Sequence, residues 1–290
     1  MVHRPEIDWQ LARRIAARQA GPLPPATRPL ALRTVADVRL RARAAGPVAA
    51  RAMHREADEA TTRIRVVDRD GWAEAASSIA ESAFDTLRWP RRAAGLRRSL
   101  SARGLGMLLG IGLGIAGRWM LGQYDAFGGG RALYLVAPNI VAVETRNRFT
   151  PADFRTWVGL HEQAHALQFA AAPWLVGHLT ELIDGPQSRA SLDRVVATMT
   201  FLEGHADHVS DTAGGVPSAS AMRRSFAHRP RPRWGILDKG SQYTDGLAFC
   251  RAVSRAAGDD ALLAVLERPE HLPTRAEIAA PRDWLDRVGG

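Results

Sequence analysis

The sequence predicts a mainly α protein, of α+β class, in which one small strand region accompanies a series of helices. In most segments apolar residues recur three to four positions apart, which is the period of an amphipathic helix. Only residues 132–144 are rich in β-branched and aromatic side chains. Two late helices carry histidines and acids beside their apolar stripes, and we expect the core to form around this pair.

The composition is that of an ordinary globular protein. A hydrophobic fraction of 46% and a charged fraction of 24% exclude a disordered or fully membrane-embedded chain. The single cysteine, Cys250, excludes an intramolecular disulfide and a cysteine-rich metal knuckle. Because no secretory signal precedes the first helix, we expect a cytoplasmic protein.

The net charge of +9 comes almost wholly from arginine, since Lys239 is the sole lysine. Short basic clusters occur at residues 91–103 and 223–233, but neither alternates with stacking aromatics or adjoins a nucleic-acid-binding motif. We therefore interpret these arginines as solvated surface groups and expect no nucleic-acid partner.

The first half of the chain is predicted to be helical. Residues 7–20 and 31–60 have helical spacing and flank a proline-rich link, residues 65–72 form a turn, and the next helix extends to about Leu87. Trp89 and Pro90 break that helix. The apolar run 104–117 is too short to span a bilayer, so we expect a buried helix and no membrane span. Gly106, Gly110 and Gly114 would let a neighbouring helix approach closely.

Residues 132–144 form the predicted strand region, interrupted by Pro138 and Asn139. Its first part, residues 132–136, is a candidate edge strand that could align an extended peptide through main-chain hydrogen bonds, and the alternative is an ordinary packed strand. We divide the chain into an N-terminal helical region, 1–100, and a second region, 101–290, that carries the chemistry. The two regions are expected to form one continuous globular unit.

The first of the two late helices carries the motif HEQAH. Thr150 and Pro151 provide a helix start, and Pro173 ends the helix. Residues four apart lie on one helix face, so His161 and His165 can present two imidazole nitrogens to one zinc ion. Glu162 is one step round, where it can act as the general base toward an attacking water.

The second late helix runs from Ser188 or Ser191 to the pair Gly214 and Gly215 and carries EGHADHVSD. A catalytic zinc needs a third protein ligand, which Glu203 can supply, giving a gluzincin-type site. Asp207, one turn later, can accept the second ring N–H of a ligand histidine, His161 in our interpretation. The motif leaves rival ligands open: His205, His208 and Asp211. A closed structural zinc would follow if His205 or His208 filled the fourth position.

Such a site predicts hydrolysis of an amide bond. Zinc lowers the pKa of water to about 7 and polarises a carbonyl, and Glu162 transfers the proton to the leaving amine. A neutral donor would stabilise the oxyanion, and Tyr243 or Tyr124 could supply it. We name Tyr243 as the candidate, although either tyrosine could instead be an ordinary core residue with a satisfied hydroxyl.

With these motifs in view, the chain resembles the bacterial zincin-like metallopeptidase family, some of whose members are labelled as associated with deazaflavin-coenzyme biosynthesis. The resemblance is carried by LGQYDAFG, LYLVAPNIVAVE, WVGLHEQAHALQF, FLEGHADHVSD and QYTDG, together with further motifs spread over most of the chain. It implies a mostly helical, zincin-like core around the HExxH and ExxxD helices. It also implies a zinc hydrolase with His161, His165 and Glu203 as ligands and Glu162 as the base.

We therefore predict a zinc-dependent metallopeptidase that acts on a peptide or protein substrate, with Zn²⁺ as its cofactor. The alternative is a zinc-binding scaffold or pseudoenzyme that uses the cleft to bind a partner. Nothing in the sequence indicates chemistry on a deazaflavin.

Overall fold

The computed structural model describes residues 7–86, 96–184, 188–227 and 239–289. Within them the protein is mainly helical with one small three-stranded sheet, as the sequence predicts. Contacts divide the chain into two compact units. The first unit comprises Met1–Arg39 and Arg63–Arg148, and the second comprises Leu40–Thr62 and Phe149–Gly290. The predicted boundary at residue 100 stays a prediction about domain organisation.

Helices greatly outnumber strands among the regular elements of the described residues. The helices before the late pair are α1 (Trp9–Gln19), α2 (Arg28–Ala52), α3 (Arg69–Thr86), α4 (Leu96–Gly117) and α5 (Ala137–Asn147). The strands are β1 (Ile64–Val67), β2 (Gly122–Tyr124) and β3 (Leu133–Val136). The later helices are α6 (Pro151–Ala171), α7 (Leu175–Asp184), α8 (Arg189–Thr212), α9 (Ala219–Ala227), α10 (Lys239–Ala257), α11 (Asp259–Leu263), α12 (Arg275–Ala279) and α13 (Pro281–Val288).

The first unit holds the sheet, and the sheet corrects three expectations. Residues 65–72 are not a turn, because Ile64–Val67 forms β1 and Asp68 accepts the Gly71 N–H at the start of α3. The strand ends at Val136, and Pro138 belongs to the first turn of α5, where its missing N–H costs nothing. The strand β3 is also central, not an edge, since it pairs parallel with β1 and antiparallel with β2.

The glycine-rich helix α4 packs closely against α1, as its spacing predicts. A Cβ on Gly106 would meet the Asp8 carbonyl, and one on Gly110 would meet the Ala12 carbonyl. The helix is not wholly buried, however, because Met107 and Leu108 on another face are 48% and 67% exposed. Across the described ranges, no helix combines the length and hydropathy needed to cross a membrane. The break expected at Trp89 and Pro90 lies outside the described residues.

The second unit is organised around α8. This helix packs against α6 on one side and α10 on another. The bounds predicted for the two late helices are confirmed: α6 follows Thr150 and ends before Pro173, and α8 begins after Ser188, whose side chain accepts the Ser191 N–H. Phe201 of α8, Phe249 of α10 and Trp284 of α13 form a buried aromatic cluster with edge-to-face contacts.

Two glycines allow α8 and α10 to touch backbone to backbone. A Cβ on Gly204 would overlap the main chain of Gly246, and a Cβ on Gly246 would overlap the Thr200 carbonyl. Gly204 directly follows Glu203 in sequence, so this close contact lies next to the glutamate in α8.

Gly204→Ala should therefore lower the free energy of unfolding by about 3 kcal/mol, because rigid backbone atoms on both sides must move apart. The matched control is Gly177→Ala in α7, where an added Cβ meets nothing within 4 Å. There the higher helix propensity of alanine should leave stability unchanged or slightly raised. Urea unfolding of the two variants measures the difference, and equal stabilities would contradict the proposed backbone contact.

Candidate metal centre

The two histidines of HEQAH lie together because α6 places them one turn apart. Their ring centroids are 4.8 Å apart, and the Nε2 atoms of His161 and His165 approach to 3.2 Å. Both side chains are largely buried, with 12% and 16% exposed. Neutral nitrogens at this separation turn lone pairs toward each other, unless a proton or a cation lies between them.

Glu203 comes to the same point from α8. Its Oε2 is 3.4 Å from Nε2 of His161 and 3.6 Å from Nε2 of His165. The circle through the three atoms has a radius of about 2.0 Å, the length of a zinc–nitrogen or zinc–oxygen bond. In the described part of the chain, these three residues form a group whose ligand atoms lie mutually within 4.8 Å.

Within this buried group, the carboxylate and the histidines shift one another's pKa values against the effect of burial. Oε2 of Glu203 is buried and makes no hydrogen bond of normal geometry, although Nε2 of His161 and Nε2 of His165 both lie within ion-pair distance of it. Burial alone would raise the pKa of Glu203, but His161 and His165 hold it well below its usual range. Burial likewise opposes the charge on His161, yet Asp207 and Glu203 raise its pKa to about 10. In the metal-free protein a proton therefore supplies the positive charge that the carboxylate requires.

Asp207 contacts the outer nitrogen of one histidine. Its Oδ1 lies 3.1 Å from Nδ1 of His161, so the ring N–H can donate to the carboxylate and leave Nε2 facing the cluster. Burial would raise the pKa of Asp207, but the hydrogen bond from His161 and the charge of Arg223 lower it. The sequence-predicted pairing of Asp207 with His161 is thus present as a contact.

Arg223 in α9 meets the acidic side of α8. It donates from Nη1 to Oδ2 of Asp207 at 2.6 Å and from Nε and Nη2 to both oxygens of Asp211. Its guanidinium also lies over the Trp157 ring, 4.8 Å from the centroid. The interpretation of Arg223 as a solvated surface group is therefore wrong. Arg229, Arg231 and Arg233 of the same cluster lie outside the described residues.

The rival ligands of EGHADHVSD have other partners. His205 turns its Nδ1 toward Gln168 at 3.1 Å, and burial lowers its pKa to about 3. His208 pairs with Asp259 at 2.9 Å. Asp211 pairs with Arg223 and, at 2.9 Å, with Arg251. None of the three belongs to the described metal group.

For the remaining candidates, Glu162, Tyr243 and Tyr124, the structure gives only their positions in the secondary structure and, for two of them, part of their surroundings. Glu162 is buried on α6, directly after His161. The backbone of Tyr243 lies in α10, but its side chain is outside the described part of the structure. Tyr124 is on β2 in the first unit, where its hydroxyl accepts a hydrogen bond from Arg131 at 3.4 Å. The role of each as base or oxyanion donor stays a prediction.

The sequence did not predict the contacts that two further residues, Gln168 and Arg223, make at the site. Gln168 contacts His165 from one turn further along α6, and its i+3 spacing would have indicated a shared helix face. Arg223 gave no such signal, because it belongs to a different helix and was grouped with neighbouring arginines.

A helix that bears HExxH and a second helix that supplies a glutamate define a zincin-like metal centre within a mainly helical fold. Comparison with known families matches residues 7–185 and 179–285 to the family described as "Zincin-like metallopeptidase". Because these matches span most of the chain, the protein belongs to the zincin-like metallopeptidase family.

A solved structure supports the same relationship. The chain shares 30% sequence identity with a protein whose crystal structure is described as that of "a putative hydrolase with a novel fold from Chloroflexus aurantiacus". The two share a TM-score of 0.77 over 98% of this chain and 99% of the other. Comparison with proteins of curated function gives no match.

Zinc binding should release a proton from His161. Since its pKa is about 10 in the metal-free protein, Nε2 is protonated at pH 7 to 9 and must lose that proton before it can bind a metal. The apparent zinc affinity should therefore rise about tenfold per pH unit over this range. Calorimetric titration in buffers of different ionisation enthalpy counts the protons, and a count near zero would contradict the assignment.

Arg223→Met should show how much the buried carboxylates of Asp207 and Asp211 destabilise the folded protein when they lose this cation. Without the guanidinium, Asp207 and Asp211 lose a buried positive partner, so unfolding should become easier by about 3–5 kcal/mol. Zinc affinity should fall about tenfold, because Asp207 no longer holds His161 firmly. Arg224→Met, at the exposed neighbouring position, is the matched control. A stability loss with unchanged zinc affinity would show that Arg223 does not act through Asp207.

Proposed function

We propose that this protein is a zinc-dependent metallopeptidase that hydrolyses peptide or other amide bonds. The observation that carries the proposal is the triangle of His161 Nε2, His165 Nε2 and Glu203 Oε2. Its sides of 3.2, 3.4 and 3.6 Å resemble the edges of about 3.3–3.4 Å expected between ligands of a tetrahedral zinc ion.

The donor set also fits zinc chemically. Two imidazoles and one carboxylate are the protein ligands of several catalytic zinc sites, whose fourth position is left for water or substrate. Oε2 of Glu203 is a buried oxygen without a hydrogen bond of normal geometry, which is the atom that a cation would satisfy. Among the described residues the group contains no fourth His, Cys, Asp or Glu, which favours a catalytic over a closed structural site.

The side chains of this chain would divide the reaction between them. Bound zinc would polarise the scissile carbonyl and lower the pKa of water. Glu162 accepts a proton as water adds to the carbonyl carbon, and it delivers that proton to the nitrogen as the carbon–nitrogen bond breaks. Asp207 holds the ring of His161 with Nε2 toward the site. The products are a carboxylic acid and an amine.

Glu162→Gln should separate zinc binding from catalysis. The amide cannot accept a proton, so we expect zinc content to stay at one ion per chain while kcat/KM on a cleaved peptide falls at least about 100-fold. His161→Ala should lose the metal itself. Glu181→Gln, an exposed position on α7, is the matched control and should behave as the wild type.

The measurements are metal analysis by mass spectrometry and digestion of a peptide library. Equal zinc content in the wild type and His161→Ala would overturn the metal site. A fully active Glu162→Gln variant would remove the glutamate from the mechanism. A wild type that binds zinc and cleaves no peptide would favour the alternative, a zinc-binding scaffold with a partner-binding cleft.

A further inference from the structure

The side-chain amide of Gln168 contacts polar groups of both helices that carry the metal group. Gln168 is fully buried on α6, one turn after His165. Its Oε1 is 2.9 Å from Nδ1 of His165. Its Nε2 is 2.9 Å from the Leu202 carbonyl oxygen and 3.1 Å from Nδ1 of His205, both on α8.

These contacts determine which way the amide points. The Leu202 carbonyl can only accept a hydrogen bond, so the amide nitrogen must face it. A reversed amide would place two oxygens against each other at that contact. Oε1 therefore faces His165, and because an amide oxygen only accepts, Nδ1 of His165 must carry the hydrogen. The lone pair of its Nε2 is then directed at Glu203 and His161.

We propose that Gln168 is a positioning residue that fixes the tautomer and the ring orientation of His165 for metal binding. The inference rests on the zinc site proposed above and extends it to HExxHxxQ, the pattern formed by residues 161–168. Fixing the tautomer matters because a ligand imidazole presents the nitrogen that its outer hydrogen bond leaves free.

The two histidines are thus held by different chemistry. His161 contacts a carboxylate that itself pairs with Arg223, whereas His165 contacts a neutral amide.

The same amide also joins the two helices next to Glu203. Leu202 and His205 flank Glu203 in sequence, and both contact Nε2 of Gln168. The His205 ring is stacked on Phe201 at 5.6 Å, which keeps its Nδ1 facing the amide. One side chain therefore links the orientation of a histidine on α6 to the segment of α8 that bears Glu203.

The chain offers a matched control on the same helix. Gln163 is also fully buried, but within the described ranges its amide hydrogen-bonds to main-chain groups alone, the Ala42 and Thr61 carbonyls and the Thr61 N–H. Gln168→Met and Gln163→Met each remove a buried amide of similar size. Both should lower the melting temperature of the metal-free protein, but only Gln168→Met should weaken zinc binding, by about 10- to 100-fold.

A conservative variant separates tautomer control from packing. Gln168→Glu keeps an oxygen beside Nδ1 of His165 and loses the donor to Leu202, so it should be unstable yet bind zinc more tightly than Gln168→Met. Zinc affinity is measured by competition with a chromophoric chelator. Zinc binding by Gln168→Met within threefold of the wild type would overturn the proposal, as would equal weakening in Gln163→Met.

A direct readout does not depend on any variant folding. Two-bond ¹H–¹⁵N spectra of the ¹⁵N-histidine-labelled wild type, recorded without zinc so that the metal does not itself dictate the tautomer, should show His165 protonated at Nδ1. A hydrogen at Nε2 instead would overturn the proposal. Failure of the underlying zinc site gives a different result, a wild type without stoichiometric zinc. In that case the same spectra of the metal-free protein still test the tautomer.

Discussion

The packing of the second unit depends on how three lone-pair donors are held together inside the protein. These donors are Nε2 of His161, Nε2 of His165 and Oε2 of Glu203. Like-charged or neutral donors at 3.2–3.6 Å repel one another unless a positive charge joins them. The same demand for positive charge raises the pKa of His161 to about 10, through Asp207 and Glu203 and against the effect of burial. The helices α6 and α8 therefore pack around a position that favours a cation, and the surrounding side chains are arranged to support it.

That support extends well beyond the three residues. Asp207 is buried beside His161, and its second oxygen is neutralised by Arg223. Asp211 lies one turn further along α8 and pairs with Arg223 and Arg251. Asp207 and Asp211 thus each meet an arginine, which offsets part of the cost of removing their carboxylates from water. Some arginines of this chain, such as Arg223, therefore neutralise carboxylates inside the protein.

Local periodicity accounts for the expectations that held. Helix bounds near Pro151, Pro173 and Ser188 follow from caps and breakers that act within a few residues. Errors arose where a short segment could adopt either state. Residues 137–147 look β-rich, but Pro138 fits a first helical turn and Asn139 donates to the Gly117 and Met120 carbonyls. Those contacts come from α4 and the segment after it, which periodicity does not report.

The sequence by itself determined the candidates: the i, i+4 spacing of His161 and His165, and the presence of EGHAD on a second helix. Only the tertiary structure decided that Glu203, and none of its rivals among the described residues, lies beside the histidines, because the register between α6 and α8 is fixed by packing. The same holds for Gln168 and Arg223. Helix spacing is a local property of the chain, whereas the partner of a buried polar group depends on which element packs across from it.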